Sequence, residues 1–294
     1  MSAASGLVQT GRHLYVVADD EHHLGVLQAD GEQPVQLVRL LPSDLPQDKE
    51  QRKRRKPDLE ALALLPPHAA WPHGALLALG SGSRPQRCRA VLLLLDAHGA
   101  IAGEPRVLDV AALYAPLRER FGDLNIEGAF ASGTGLHLLQ RANQGAAVNA
   151  CIAYPLADIV QWIAQGGALP PATITPFELG TVQGVPYGFT DGAALPGGGW
   201  IFSAVAEDTP DSYADGRCAG SALGTVNADG TLLSLEPLPG AHKVEGIALL
   251  PDGRLLMVTD ADDPGQASAL LEWRAQAASD SISAGISAGS SRAR

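Results

Sequence analysis

Aromatic residues are scarce, 5% of 294 positions, and the apolar mass is mostly Leu, Ala and Val. The hydrophobic share still reaches 46%, enough to fill the core of one large all-β domain or two ordinary domains. Cysteines number only three, Cys88, Cys151 and Cys218. They are far apart and odd in number, and no CxxC or Cys/His spacing of a zinc site occurs. This speaks against a disulfide framework and for free thiols in a reducing compartment. Long apolar runs are missing, and none approaches the length that spans a bilayer. The first residues, MSAASGLVQTGRH, lack a basic segment followed by an apolar one. A cytoplasmic location is therefore expected. Basic charge is in deficit, with a formal net charge of -11. That argues against nucleic acid or an anionic membrane as a partner and suits a protein that attracts cations. Familiar catalytic signatures are missing too. Gly80-Ser81-Gly82-Ser83 lacks the final glycine of a nucleophile elbow, and no P-loop or GxGxxG precedes a helix.

What is present is an internal repeat: an acid, a small residue, then an apolar run. The copies are Glu60-Ala61-Leu62-Ala63-Leu64, Glu127-Gly128-Ala129-Phe130, Asp191-Gly192-Ala193-Ala194-Leu195 and Glu245-Gly246-Ile247-Ala248-Leu249. A weaker copy, Ser5-Gly6-Leu7-Val8, has serine in place of the acid. From Ser5 onward the spacings are 55, 67, 64 and 54 residues. Each copy but the second leads into a Gly- or Pro-containing turn, such as Pro251-Asp252-Gly253-Arg254, and then a second apolar run. The second copy has a longer loop containing Pro66, Pro67 and Pro72. Third runs follow at 24–28, 90–95, 150–154, 221–226 and 269–273. Further hairpins are read at Ala29-Asp30-Gly31, Ala97-His98-Gly99 and Ala228-Asp229-Gly230. Strand and turn in regular alternation are all-β, and radial repetition of four-stranded sheets buries both faces of every blade. The expected fold is a single β-propeller over residues 1–274, with about five blades of mostly four antiparallel strands. The stretch Pro155–Pro186 leaves room for a sixth. Small residues after each acid suit inner strands converging on an axis. The spacing of Leu113, Leu117 and Phe121 predicts a helix within Val110–Phe121, whereas Ala157–Ala168 fits strand or helix. The fifth blade shows no outer strand, and the Ser/Ala/Gly-rich tail, residues 275–294, reads as disordered.

The repeat also makes a site prediction. In a propeller the first strand starts, and the second ends, at the same mouth. The starts bring Glu60, Glu127, Asp191 and Glu245 there, with Asp58 and Asn125 two positions earlier. The ends bring Asp19, Asp20 and Glu21; Ser81 and Ser83; Arg141 and Asn143; Glu207 and Asp208; and Asp260, Asp262 and Asp263. Crowded carboxylates require a cation, basic partners or protonation. A hard divalent ion with oxygen ligands, most simply Ca²⁺, is one solution, with Glu60, Glu127, Asp191, Glu245, Asp20 and Asp260 as candidate ligands. The plainer alternative is that each acid caps backbone amides or pairs with a neighbour such as Arg141 or Lys243. The basic run Lys49–Lys56 reads as a charged loop at this mouth. Lys53, Lys56, Arg141, Asn143 and Glu207 are candidate substrate-binding residues; Arg141, His242 and Lys56 are candidate catalytic groups. Basic side chains beside a metal suit phosphate or carboxylate esters. His22 and His23 are adjacent and would point to opposite sides of a strand, so a metal shared between them is not expected.

The strand starts DLEALALLP, NIEGAF, GFTDGAALP and KVEGIALLPDGRLLMVTD resemble the esterase-like phytase propeller group and, more distantly, calcium-dependent lactonase and phytase propellers. The resemblance implies a Ca²⁺ at the channel mouth and hydrolysis of phosphate esters, lactones or related esters. Residue by residue it touches Glu60, Glu127, Asp191 and Glu245. Ser5 departs from the pattern, and no firm nucleophile or general base is visible. The expectation is a calcium-binding hydrolase of a small anionic ester, phosphate ester ahead of lactone. The alternative is a non-catalytic propeller that binds a ligand or protein partner at the same mouth.

Overall fold

Five antiparallel sheets succeed one another along the chain. They are seen in a computed structural model that describes residues 1–29, 34–46, 48–133, 135–143, 148–209, 216–240, 242–263, 265–273 and 292–293. Blade 1 holds β1 (Ala4–Thr10), β2 (His13–Ala18), β3 (His23–Gln28) and β4 (Gln36–Arg39). Helix α1 (Lys49–Arg55) leads into blade 2, with β5 (Leu59–Leu65), β6 (Ala75–Gly80), β7 (Arg89–Leu94) and β8 (Arg106–Asp109). Helix α2 (Ala111–Arg120) precedes blade 3, which has β9 (Ile126–Ser132), β10 (Gly135–Gln140) and β11 (Asn149–Pro155), then helix α3 (Leu156–Gln165) and β12 (Thr173–Phe177). Blade 4 has five strands: β13 (Thr181–Val182), β14 (Val185–Ala194), β15 (Trp200–Asp208), β16 (Arg217–Val226) and β17 (Leu232–Pro237). Blade 5 has β18 (Lys243–Leu249), β19 (Leu255–Asp260), β20 (Leu270–Trp273) and β21 (Arg292–Ala293). The stretch Pro155–Pro186 supplies α3, the outer strand of blade 3 and an added strand of blade 4, so the ring has five blades.

The ring closes through its inner strands. β1 packs on β5, β5 on β9, β9 on β14, β14 on β18, and β18 returns to β1. The Ala261 amide donates to the Ser2 carbonyl at 2.9 Å, tying the last blade to the chain start. Each seam between blades is apolar. Leu24, Leu59 and Leu76 fill the seam of blades 1 and 2, while Trp71, Leu138 and Ile152 lie between blades 2 and 3. The third seam is aromatic, with Phe130, Phe177, Phe189 and Trp200 together. Leu223 and Met257 fill the fourth, Leu7 and Leu256 the closing one. Sheets stacked face to face in this way exclude water from both faces of each blade.

Small residues come after the acids because the inner strands nearly touch. A Cβ on Gly128 would lie 2.8 Å from the Asp191 Cα, and one on Gly246 would lie 2.8 Å from the Ser5 carbonyl oxygen.

Helix α2 takes the span its spacing predicts, burying Leu113 and Leu117. The ambiguous stretch after Pro155 is helical and buries Ile159 and Val160. The basic run before Lys56 is a helix rather than a loop. Its Lys, Glu, Gln and Arg residues are strong helix formers, and Asp48 caps it by accepting from the Gln51 amide at 2.9 Å. Arg292–Ala293 pair with β20 as the outer strand of blade 5. The rest of the tail, and the turn positions Asp30, Gly31 and Thr134, lie outside the described residues. No helix among the described residues is long and apolar enough to cross a membrane.

Candidate functional site

One irregularity recurs in all five blades. The ladder between first and second strand jumps between Ala4 and Gly6, Leu59 and Ala61, Ile126 and Gly128, Phe189 and Gly192, and Val244 and Gly246. The skipped positions are Ser5, Glu60, Glu127, Thr190 with Asp191, and Glu245: the head of every repeat. A bulge re-aims the residue it frees, and here it turns the repeat's first side chain toward the axis. Bulge residues from four of the five blades, Ser5, Glu60, Glu127 and Glu245, line one small cavity of about 90 Å³ at the mouth. Among the described residues seven carboxyl groups and five basic side chains surround it, a formal excess of two negative charges.

On one side the acids are ion-paired. Arg141 comes just after β10 and reaches Glu207 at 2.8 Å, Glu127 at 3.3 Å and Glu245 at 3.7 Å. Lys243, at the start of β18, meets Asp262 at 3.0 Å, Asp260 at 3.2 Å, Glu207 at 3.5 Å and Glu245 at 3.6 Å. Burial pushes Glu207 up, but Arg141, Lys243 and the Gly216 amide outweigh it and hold the carboxyl below the usual range. Burial lifts Glu245 to about 8 despite the same two cations. Its Oε1 is buried without a hydrogen-bond partner among the described residues. Burial also raises Glu127 against the pull of Arg141.

The other side is built on Asp58, which holds a left-handed backbone at φ 56. Its carboxylate meets Arg87 at 2.7 Å and Lys56 at 2.9 Å, and accepts from the Ser81 hydroxyl. Burial opposes its charge, but Lys56 and Arg87 prevail and lower its pKa. Lys56 also pairs with Asp19. One carboxylate oxygen from each of Asp19, Asp58 and Glu60 lies within 4.8 Å of the others. Glu60 makes no hydrogen bond and no ion pair within 4.0 Å among the described residues. Burial first, then Glu127, Asp58 and Asp19, push it well above the usual carboxylate range.

Asp191 has a different position. It is 1% exposed and does not line the cavity. Its oxygens accept the Gly192 amide at 2.8 Å and the Ile247 amide at 2.9 Å, and the Leu7 and Ala129 amides also bond to it. Those amides belong to the inner strands of blades 4, 5, 1 and 3, so one side chain ties four of the five together. Burial raises its pKa well up while the amides pull the other way.

The structure therefore brings Glu60, Glu127, Glu245, Asp260, Glu207, Arg141, Asn143, Lys53 and Lys56 to the cavity, and leaves three expected residues elsewhere. Asp191 is the backbone hub. Asp20 turns to Arg52 at 3.5 Å in a neighbouring basin. His242 is exposed and lies outside the cavity lining. Asp19 and Asp58, which the repeat places at the same mouth, also line the cavity. Their place at a strand end and a strand start was visible, but which of two adjacent acids faces the axis depends on the turn after Ala18.

Comparison with known proteins adds the family but no activity. No curated protein matches the chain significantly. Among solved structures, a nidogen/laminin complex matches at 11% identity and TM-score 0.46, covering 92% of this chain and 75% of that one. A streptogramin B lyase matches at 11% identity and TM-score 0.38, covering 88% and 91%. A Synechocystis apocarotenoid oxygenase matches at 12% identity and TM-score 0.36, covering 91% of this chain; the chain spans 56% of the length of that protein. Likeness at 11–12% identity and TM-scores below 0.5 assigns no activity to this chain. The model of a family of unknown function, DUF6929, matches residues 1–274, and the chain belongs to that family.

Proposed function

We propose that the channel mouth binds a divalent cation, calcium first, and hydrolyses a small anionic ester, phosphate ester ahead of lactone. The observation that carries this reading is the convergence of Asp19, Asp58 and Glu60 within 4.8 Å, where Glu60 makes no ion pair within 4.0 Å among the described residues and the pull of Lys56 is outweighed by burial and the neighbouring acids. The donors suit the ion: all are hard carboxylate oxygens, Asp19 Oδ1 is buried without a hydrogen-bond partner among the described residues, and carboxyl groups outnumber basic side chains in the lining. The resemblance of the strand starts to esterase-like phytase propellers points the same way. Asp19, Asp58 and Glu60 would hold the ion, and Lys56 would yield part of its contact with Asp19.

When bound, such an ion supplies Lewis-acid polarisation and neutralises anionic charge. The chain's own residues do the rest. Arg141 would exchange its longer contacts with Glu127 and Glu245 for a phosphoryl or carboxylate oxygen, which a guanidinium suits, while Glu207 fixes its orientation. Lys53 and Asn143, on the cavity wall, complete the anion cradle. Glu245, lifted to about 8, holds a proton at neutral pH and can deliver it to the departing oxygen.

One observation favours the rival reading, a binding module without catalysis: Glu127, Glu207 and Glu245 are already neutralised in part by Arg141 and Lys243. A turnover assay separates the two. Chelator-treated protein is supplied with calcium and offered aryl phosphates and lactones beside Glu60→Gln. Calcium-dependent turnover that falls at least about a hundredfold in the variant supports the hydrolase, as expected for loss of a metal's contribution of several kcal/mol. Turnover no greater than the variant's on every substrate favours the binding module.

A further inference from the structure

We propose that a second groove, outside the acidic mouth, is an anion site for a small phosphorylated molecule. Arg54 and Arg55 at the end of α1, Arg84 before the short turn of helix at 85–87, and Arg89 at the start of β7 line one cavity of about 670 Å³. Its floor includes the buried Leu41 and Pro57. Among the described residues no carboxylate lines it, although the protein as a whole carries a net charge of -11. Arg54, Arg55 and Arg89 are exposed and form no ion pair among the described residues. The one acid opposite Arg89 in the ladder, Asp109, accepts the Ala111 amide at 2.8 Å instead.

Arginines from three separate segments thus line one concavity, with no carboxylate in its lining among the described residues. Guanidinium forks match phosphate oxygens two at a time, and a bound anion relieves the repulsion among them. The volume lies in the range that seats one small ligand, and the apolar floor beside the charges gives room for its organic part. The groove shares none of the proposed cation-binding residues, so it is independent of what the mouth binds.

Pyrophosphate, titrated calorimetrically into chelator-treated protein at low salt, is the probe. Binding by the wild type is expected to weaken at least about tenfold in an Arg55→Ala, Arg89→Ala double variant. Both side chains are exposed and outside any ion pair among the described residues, so the fold tolerates the change. Glu60→Gln should leave the affinity within about twofold, because a divalent cation plays no part here. Absence of wild-type binding, or undiminished affinity in the double variant, would overturn the proposal.

Discussion

Asp191→Asn replaces one oxygen of a fully buried carboxylate by an amino group, and the hydrogen bonds around it set the cost. Asp191 accepts amides from the inner strands of blades 4, 5, 1 and 3. Asparagine keeps a single acceptor oxygen, and its own N–H donors would face amides that are donors themselves. Two buried amides are then left unpaired, at about 1–3 kcal/mol each, for a loss of about 4 kcal/mol. At about 2–4 °C per kcal/mol for a domain of this size class, the melting temperature falls by at least 8 °C. Urea denaturation monitored by circular dichroism, beside a thermal scan at pH 7, measures both. Calcium affinity of the folded variant should stay within about twofold of wild type, since Asp191 stands away from the cavity. A stability loss under about 1 kcal/mol would refute the assignment of Asp191 as the hub of the ring.

Arg141→Met strips the cation from Glu127, Glu207 and Glu245, and should cost about 3–5 kcal/mol by denaturant titration at pH 7.5. Part of the loss should be regained at pH 5, where the carboxyls protonate; a loss that ignores pH would contradict the ion-pair account. Glu245 gives a pH signature of its own. Its folded-state pKa of about 8 exceeds the ordinary 4.5, so the folded state binds the proton more tightly. Stability is therefore full below about pH 4.5 and declines as pH rises toward 8, by up to about 1.4 kcal/mol per pH unit from this group. Stability curves at pH 5, 6, 7 and 8 should be visibly flatter for Glu245→Gln, and an unchanged slope would remove Glu245 as the titrating group.

The architecture was legible because the repeat is a physical necessity of the fold. The acid, the small residue and the apolar run are, in order, the bulge that faces the axis, the contact point between inner strands, and the strand core. Glu60, Glu127 and Glu245 could therefore be placed at one mouth by spacing alone. Asp191 has the same motif, but its fate depends on which amides of Gly192, Ile247, Leu7 and Ala129 approach it, and that is three-dimensional information. The same holds for Asp19 over Asp20. Helix α1 reads as a loop in the sequence because it carries no apolar stripe: a run of Lys, Glu, Gln and Arg satisfies helix propensity without periodicity. The outer strand of blade 5 is unmarked in the sequence because Arg292–Ala293 reach β20 from far along the chain, and no local pattern marks two residues as a strand.

The most direct test of the cation site is a calorimetric titration of calcium into chelator-treated wild type, Glu60→Gln and Asp191→Asn. One-site binding by the wild type and by Asp191→Asn, lost in Glu60→Gln, is the predicted result. No binding by the wild type, or equal binding by Glu60→Gln, would contradict the assignment of Asp19, Asp58 and Glu60 as the cation's ligands.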